Sequence, residues 1–239
     1  MSVYACADLH GRYDLWAKIK NILKPDDTLY FLGDAIDRGE DGYKIMKEML
    51  ADPRITYILG NHEYMMYKVC TTGMEYSPDM DIWLYNGGYS TFQSWDKDGR
   101  PIDVIADLAA LPTEVYYLNK EGVTIILNHA GRNPDIVPKD THAAVWDREH
   151  ITTVFSAASD KPCPYLIVHG HTPNEVLEKM INRAGQSQFI EEDTGIIWYW
   201  NNLKVCLDTG AVWTGQTVLF DLDTYQSIII KEDKKNDNN

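Results

Sequence analysis

The stretch "LYFLGDAIDRGE", residues 29–40, decides how this chain is read. Leu29 to Leu32 form a short apolar run of strand type. The run stops at Gly33-Asp34, and Asp37-Arg38-Gly39 follows at once. A carboxylate at the mouth of a buried strand is costly unless a charge meets it. Two readings are open at this point: a solvated turn, or carboxylates that meet cations.

The same punctuation recurs along the chain. "VYACA" (3–7) runs into Asp8-Leu9-His10-Gly11, and "ITYIL" (55–59) into Gly60-Asn61-His62-Glu63. "VTIIL" (123–127) runs into Asn128-His129-Ala130-Gly131, "YLIV" (165–168) into His169-Gly170-His171-Thr172, and "LKVCL" (203–207) into Asp208-Thr209-Gly210. In open α/β sheets the C-terminal edge of the strands is where ligands bind. Taken singly, each motif has a plain explanation. Asp and Asn favour turns, Asp37 and Arg38 can form a buried pair, Asn61 can cap a helix, and His129 can be a hydrogen-bonded core edge. Taken together they need more, because five of the seven histidines fall at these strand ends, close to glycine. Mixed imidazole, carboxylate and amide donors suit ions such as Mn, Fe or Zn. Two ions roughly 3.5–4 Å apart are a recurring device for hydrolysing phosphate esters.

Composition narrows the classes. A chain of 239 residues with 44% hydrophobic and 24% charged residues is an ordinary globular protein. A net charge of −14 disfavours nucleic acid, whose phosphates it would repel, but not an anionic substrate at a locally positive site. No run reaches membrane-span length, and the first residues show no leader pattern. Cys6, Cys70, Cys163 and Cys206 form no C-x-x-C pair, so reduced thiols and a cytoplasmic location are expected.

Apolar runs alternate with helical patterns in the first half, as in "YDLWAKIKNIL" (13–23) and "GYKIMKEML" (42–50), which gives an α/β fold. "NKEG" (119–122) reads as a hairpin turn between two strands, residues 71–100 as an insert of helix and loop, and the C-terminal part as strands joined by turns. We expect two packed mixed β-sheets in a sandwich flanked by helices. A single domain over 1–231 and a disordered tail over 232–239, which has no apolar residue, complete the expectation.

In this order, D-x-H-G, G-D-x-x-D-R-G, G-N-H-E, H-A-G and G-H-T resemble the calcineurin-like metallophosphoesterases. Within them the chain is most similar to the phosphoprotein phosphatases of the bacteriophage lambda type, with further matches at "WLYNGG" (83–88), "VWDRE" (145–149) and "DTGAV" (208–212). The resemblance covers about residues 3 to 222. It implies two divalent ions, Mn first with Fe, Zn or Ni as alternatives. Asp8 and His10 would hold the first ion, Asp34 would bridge both, and Asn61, His129 and His171 would complete the second. It also implies hydrolysis of phosphate monoesters by a hydroxide held between the ions. His62 would act as general acid, oriented by Asp37, and Arg38 and Arg148 would grip phosphate oxygens. The substrate would be a phosphorylated protein, on serine, threonine or tyrosine, or a small phosphoester. Symmetrical hydrolysis of diadenosine tetraphosphate is the rival; enzymes of that kind typically lack the Asp of D-R-G, which is present here as Asp37. His169 is left as neighbour, alternative ligand or packing residue. His142 and His150 are expected at the surface. Arg132 is read as a phosphate contact or a solvated charge. Trp198, Tyr199 and Trp200 are read as strand packing.

Overall fold

A computed structural model of the chain describes residues 1–72, 77–98, 103–133, 136–153, 165–186 and 188–233. The first half alternates strand and helix: β1 (Val3–Cys6), α1 (Tyr13–Ile22), β2 (Thr28–Phe31), α2 (Gly42–Ala51), β3 (Ile55–Tyr57) and α3 (Asn61–Thr71). Within the insert expected over 71–100 lie α4 (Pro78–Trp83), a wide π turn (Leu84–Gly88) and α5 (Tyr89–Asp98), and α6 (Ile105–Ala110) follows beyond it. Next come β4 (Glu114–Leu118), β5 (Thr124–Asn128), α7 (Thr141–Trp146), α8 (Glu149–Thr152), β6 (Tyr165–His169) and α9 (Asn174–Arg183). The chain closes with β7 (Gln188–Ile190), β8 (Ile197–Tyr199), β9 (Lys204–Cys206), α10 (Ala211–Thr214), β10 (Gln216–Asp221) and β11 (Ser227–Lys231).

These strands make two mixed sheets, in the orders β11-β10-β1-β2-β3 and β4-β5-β6-β9-β8-β7. β1, β2 and β3 run parallel, as do β5, β6 and β9, while the outer strands pair antiparallel. Side chains alternate across each strand, and this sorts the core into layers. Val3 and Ala5 of β1, Val218 and Phe220 of β10, Ile125 and Leu127 of β5, and Leu166 and Val168 of β6 meet between the sheets. Their neighbours Cys6, Leu29, Phe31 and Leu219 face the other way, onto Leu15, Trp16 and Ile19 of α1 and Ile45 and Met46 of α2. On the far side, Cys206 and Tyr199 pack on Leu177 and Ile181 of α9. The expected sandwich of two mixed sheets flanked by helices is the fold found. The hairpin expected at "NKEG" joins β4 to β5. Asn119 Oδ1 accepts the amides of Glu121 and Val123 there, and Gly122 takes φ 81°.

Parallel strands of both sheets bring their C-terminal ends to one rim, where the sheets are stitched together. Asp8 N donates to Gly33 O at 3.1 Å and His10 N to Asp34 O at 2.9 Å within the first sheet. His129 Nδ1 reaches Leu32 O at 2.6 Å, and His171 N meets both Asp8 oxygens at 3.1 Å, between the sheets. At the chain end, Glu232 pairs with Arg12 and Asp233 with Lys18; residues 234–239 of the expected tail lie outside the described residues. Among the described residues no helix is long and apolar enough to cross a membrane.

Candidate metal centre

The turn at Asp34 owes its shape to a residue 29 positions on. Glu63, buried in the first turn of α3, accepts the amides of Asp34 (2.8 Å) and Ala35 (2.9 Å) and the hydroxyl of Tyr57 (2.8 Å). That clamp holds Asp34 in left-handed backbone at φ 62°. Among the described residues ten non-glycine residues have positive φ, and six of them are Asp8, His10, Asp34, Asp37, Arg38 and His171. Non-glycine residues resist this conformation, and where it persists it clusters at functional sites.

Asp34 uses its two oxygens differently. Oδ1 accepts the His62 amide at 3.0 Å, at the start of α3, where unpaired N–H groups favour an anion. Oδ2 faces three imidazoles: His129 Nε2 at 3.4 Å, His10 Nε2 at 3.7 Å and His62 Nε2 at 3.8 Å. Two groups of candidate ligand atoms result, His10–Asp34–His62 and Asp34–His129–His171, both buried and sharing Asp34. Asn61 does not cap α3, whose N-cap is Gly60. Its Oδ1 instead lies 2.8 Å from both His129 Nε2 and His171 Nδ1. Asp8 falls in neither group; its carboxylate turns to the His171 amide, over Gly170.

The donor set fits cations. A carbonyl only accepts, so His10 Nδ1 on Ile36 O (2.9 Å) and His129 Nδ1 on Leu32 O carry the ring protons. Their Nε2 lone pairs therefore point inward. With Nε2 unprotonated, His129 would meet the carbonyl oxygen of Asn61 lone pair to lone pair, 2.8 Å apart, an arrangement a cation relieves; with no cation, a proton on Nε2 takes that place, and against the pull of burial Asp34 raises His129 accordingly. His171 Nε2 is buried with no hydrogen-bond partner, an orphan that calls for an explanation. Three buried acids sharpen the need. Burial, then Asp208 and Asp34, hold Asp8 well above the usual carboxylate range. Burial pushes Asp208 up to about 6. Burial also raises Asp34, but His129, His62 and His10 outweigh it and keep that carboxylate ionised, well below its ordinary value.

His62 is held from behind. Its Nδ1 meets Asp37 Oδ2 at 2.6 Å. Asp37, fully buried, also accepts Thr91 Oγ1 (2.6 Å) and Trp83 Nε1 (2.9 Å), and its own amide donates to Thr91 Oγ1 (2.9 Å). Burial pulls His62 down, yet Asp34 and Asp37 together raise it above its ordinary value. Arg38 spans the opening, with Nη1 2.5 Å from His10 Nε2, Nη2 3.1 Å from His62 Nε2, and its amide on Gly87 O at 3.0 Å. Arg148 approaches from the other sheet, Nε on Thr172 Oγ1 at 2.9 Å and Nη2 on His171 O at 3.3 Å.

Several neighbours depart from the sequence reading. His169 points away: Nδ1 meets Gly170 O (2.9 Å), and Nε2 meets the Tyr199 hydroxyl (2.8 Å). His142 is exposed as expected, but His150 is buried. His150 Nε2 donates to Ala130 O (2.8 Å), and Nδ1 faces Lys204 Nζ (3.2 Å). Arg132 is neither a phosphate contact nor a solvated charge, because it is buried in an ion pair with Glu114. Trp198 and Tyr199 lie in β8, and Trp200 opens the turn after it. Sequence reasoning passed over Glu63, Thr91, Trp83 and Asp208. Glu63 and Asp208 sat inside motifs already quoted, as the last residue of G-N-H-E and the first of D-T-G, and were open to the same argument.

Comparison with known proteins identifies the family of the chain. The sequence profile of the calcineurin-like phosphoesterases matches residues 1–209. No curated protein matches the sequence. Among solved structures, a candidate diadenosine tetraphosphatase superposes with TM-score 0.58 at 18% identity, covering 98% of this chain and 94% of the other. A metallophosphoesterase from Sphaerobacter thermophilus gives 0.53 at 16%, covering 98% and 88%. A cold-active protein tyrosine phosphatase of a psychrophilic Shewanella gives 0.52 at 16%, covering 96% and 80%. At these identities the structures share the fold alone, but the profile spans most of the chain, which therefore belongs to the calcineurin-like phosphoesterase family and, with it, to hydrolases of phosphate esters that use a pair of divalent metal ions.

Proposed function

We propose that this chain is a metal-dependent phosphatase of phosphate monoesters, acting on phosphoproteins. The observation that carries the reading is His62: an imidazole clamped by Asp37 at its far nitrogen, with its near nitrogen beside Asp34 and Arg38. Asp34, His10, Asn61, His129 and His171, with Asp8 adjacent, would hold two divalent ions, Mn first. Such ions lower the pKa of water and neutralise phosphoryl oxygens. The chain's own part is positioning and proton transfer. Arg38 and Arg148 offer paired donors to the phosphoryl oxygens. An anion that draws Arg38 away from His62 frees Nε2 to carry a proton. As water oxygen joins phosphorus and the ester P–O bond breaks, the leaving oxygen takes that proton from Nε2, giving the free alcohol and inorganic phosphate.

A second reading, symmetrical hydrolysis of diadenosine tetraphosphate, draws on the neighbour described in those terms. The buried Asp37–His62 pair favours the monoester reading, because enzymes of the rival kind typically lack that Asp. One panel separates them: p-nitrophenyl phosphate, phosphopeptides and diadenosine tetraphosphate, offered to metal-stripped protein with each divalent ion returned in turn. Metal-restored turnover of the monoesters is expected. Turnover of diadenosine tetraphosphate alone would replace this reading with the second, and no metal-restored turnover of any of them would end both.

A further inference from the structure

Trp213 is 65% exposed, unusual for the largest side chain in the alphabet. It sits in α10, directly after Asp208-Thr209-Gly210, and its place is tightly set. Gly210 and Gly215 bracket the helix at φ 70° and 65°, and Trp213 N donates to Gly210 O at 2.8 Å. The indole carries the Arg38 guanidinium, Cζ lying 5.3 Å from the ring centroid. Arg38 in turn touches His62 Nε2. The proton donor, the arginine and the exposed indole therefore form one continuous wall. A proton donor marks the side on which the alcohol departs, so the departing group must lie along that wall. An indole still open to solvent beside a cation offers a face to a flat ring and little to a short alkyl chain.

We propose that Trp213 is the platform for the leaving group and that it selects aryl phosphate monoesters, phosphotyrosine among them, over alkyl ones. This rests on the phosphatase reading and on the role given there to His62. A trough of about 430 Å³ also opens between Trp146 and Val137 beside Arg148. Trp146 packs edge-on to His171 with ring centroids 5.8 Å apart, so that trough adjoins the second group of donors and not the proton donor.

The test compares phenylphosphonate with methylphosphonate, which share the anion and differ in the group beyond it. Binding of each to the metal-loaded full chain is measured by calorimetry, for the native protein, Trp213→Ala and Trp213→Phe. The native protein should prefer phenylphosphonate by roughly three- to tenfold, the scale of one aromatic pair. Trp213→Ala should lose that preference while keeping its affinity for methylphosphonate, and Trp213→Phe should retain most of it. Equal weakening of both ligands in Trp213→Ala would mean that the indole only seats Arg38, and would overturn the proposal. So would a preference that survives in Trp213→Ala, or no preference in the native protein. Because binding is read without turnover, the outcome stands apart from the phosphatase reading: a chain that hydrolyses no monoester yet shows this Trp213-dependent preference would lose its proposed reaction and keep its platform.

Discussion

At the scale of single residues, the proposed function separates groups that would hold ions from groups that would move protons. His62 sits among potential ligand atoms, yet its outer nitrogen is committed to Asp37. His62→Asn should therefore retain bound metal, measured by elemental analysis, while turnover falls about 10²- to 10⁴-fold, the range of a general acid. Wild-type turnover in that variant would remove the proton-donor role. Asp37 allows a test of sign. Asp34 and Asp37 raise His62 against the pull of burial. A general acid works only while protonated, so activity is lost as pH rises through its pKa. Asp37→Asn removes one raising charge, and the alkaline limb of the kcat profile should move to lower pH. A limb that stays in place, or moves upward, would show that Asp37 does not tune this proton. Much of the site was legible at this scale because the candidate ligands follow strand ends within a few residues of glycine. Asp208 was legible too, since D-T-G repeats the pattern. The partners of Asp37 were not: Thr91 lies 54 residues away and Trp83 46, and no local spacing reports a hydrogen bond across an insert.

At the scale of elements, the loops work because backbone comes unusually close to carboxylate. A methyl group on Gly170 would lie 2.0 Å from Asp8 Oδ2 and 2.8 Å from the Ala7 methyl. Nothing at that rim can give way cheaply, since Asp8 is fixed by the His171 amide and Ala7 belongs to the core between the sheets. Gly170→Ala should therefore lower metal content and activity together. Gly122→Ala is the complementary control: it has open space around it, so its cost is that of its φ of 81° alone. It should cost roughly 1–2 kcal/mol of stability, the strain of left-handed backbone, with metal content unchanged. Metal titration and denaturant unfolding of the pair check this. The elements themselves were readable because β1, β2 and β3 are short apolar runs and α1 and α2 show clear helical spacing. The place of Asn61 was legible only through the family resemblance, not from local spacing. A residue at a helix start reads as a cap, and only the approach of His129 and His171 from the second sheet shows that its oxygen has other company.

At the scale of the whole molecule, a charge lies deep behind the site. Lys204 is 1% exposed, and its Nζ donates to Asn133 Oδ1 (2.7 Å) and His150 O (3.0 Å). Burial, only partly offset by Asp147, lowers it from 10.5 to about 7. Between those values the unfolded chain binds a proton that the folded chain does not, so stability should climb with pH across the window. The slope is at most about 1.4 kcal/mol per pH unit. Below about 7 both states are charged and the contribution levels off. Lys204→Met should flatten the rise in denaturant-unfolding free energy between pH 7 and 10, and an unchanged slope would mean that the amine is not what titrates. This network escaped the sequence because a lysine within "LKVCL" looks like any strand residue pointing to water, and His150 looked like its surface neighbour His142. Which face of β9 is covered depends on α8 and α9, which the strand's own residues do not reveal.

The bond from His129 to the Leu32 carbonyl, and the one from the His171 amide to Asp8, each leave one sheet and end on the other. The clasp that gathers the ligands is thus also the hem of the sandwich. Extracting the ions would slacken a boundary between two halves of the molecule as well as a local pocket. Deuterium uptake at the amides of Asp8, His10 and His171 would then quicken together on chelation, while strand interiors far from that hem kept their slow exchange.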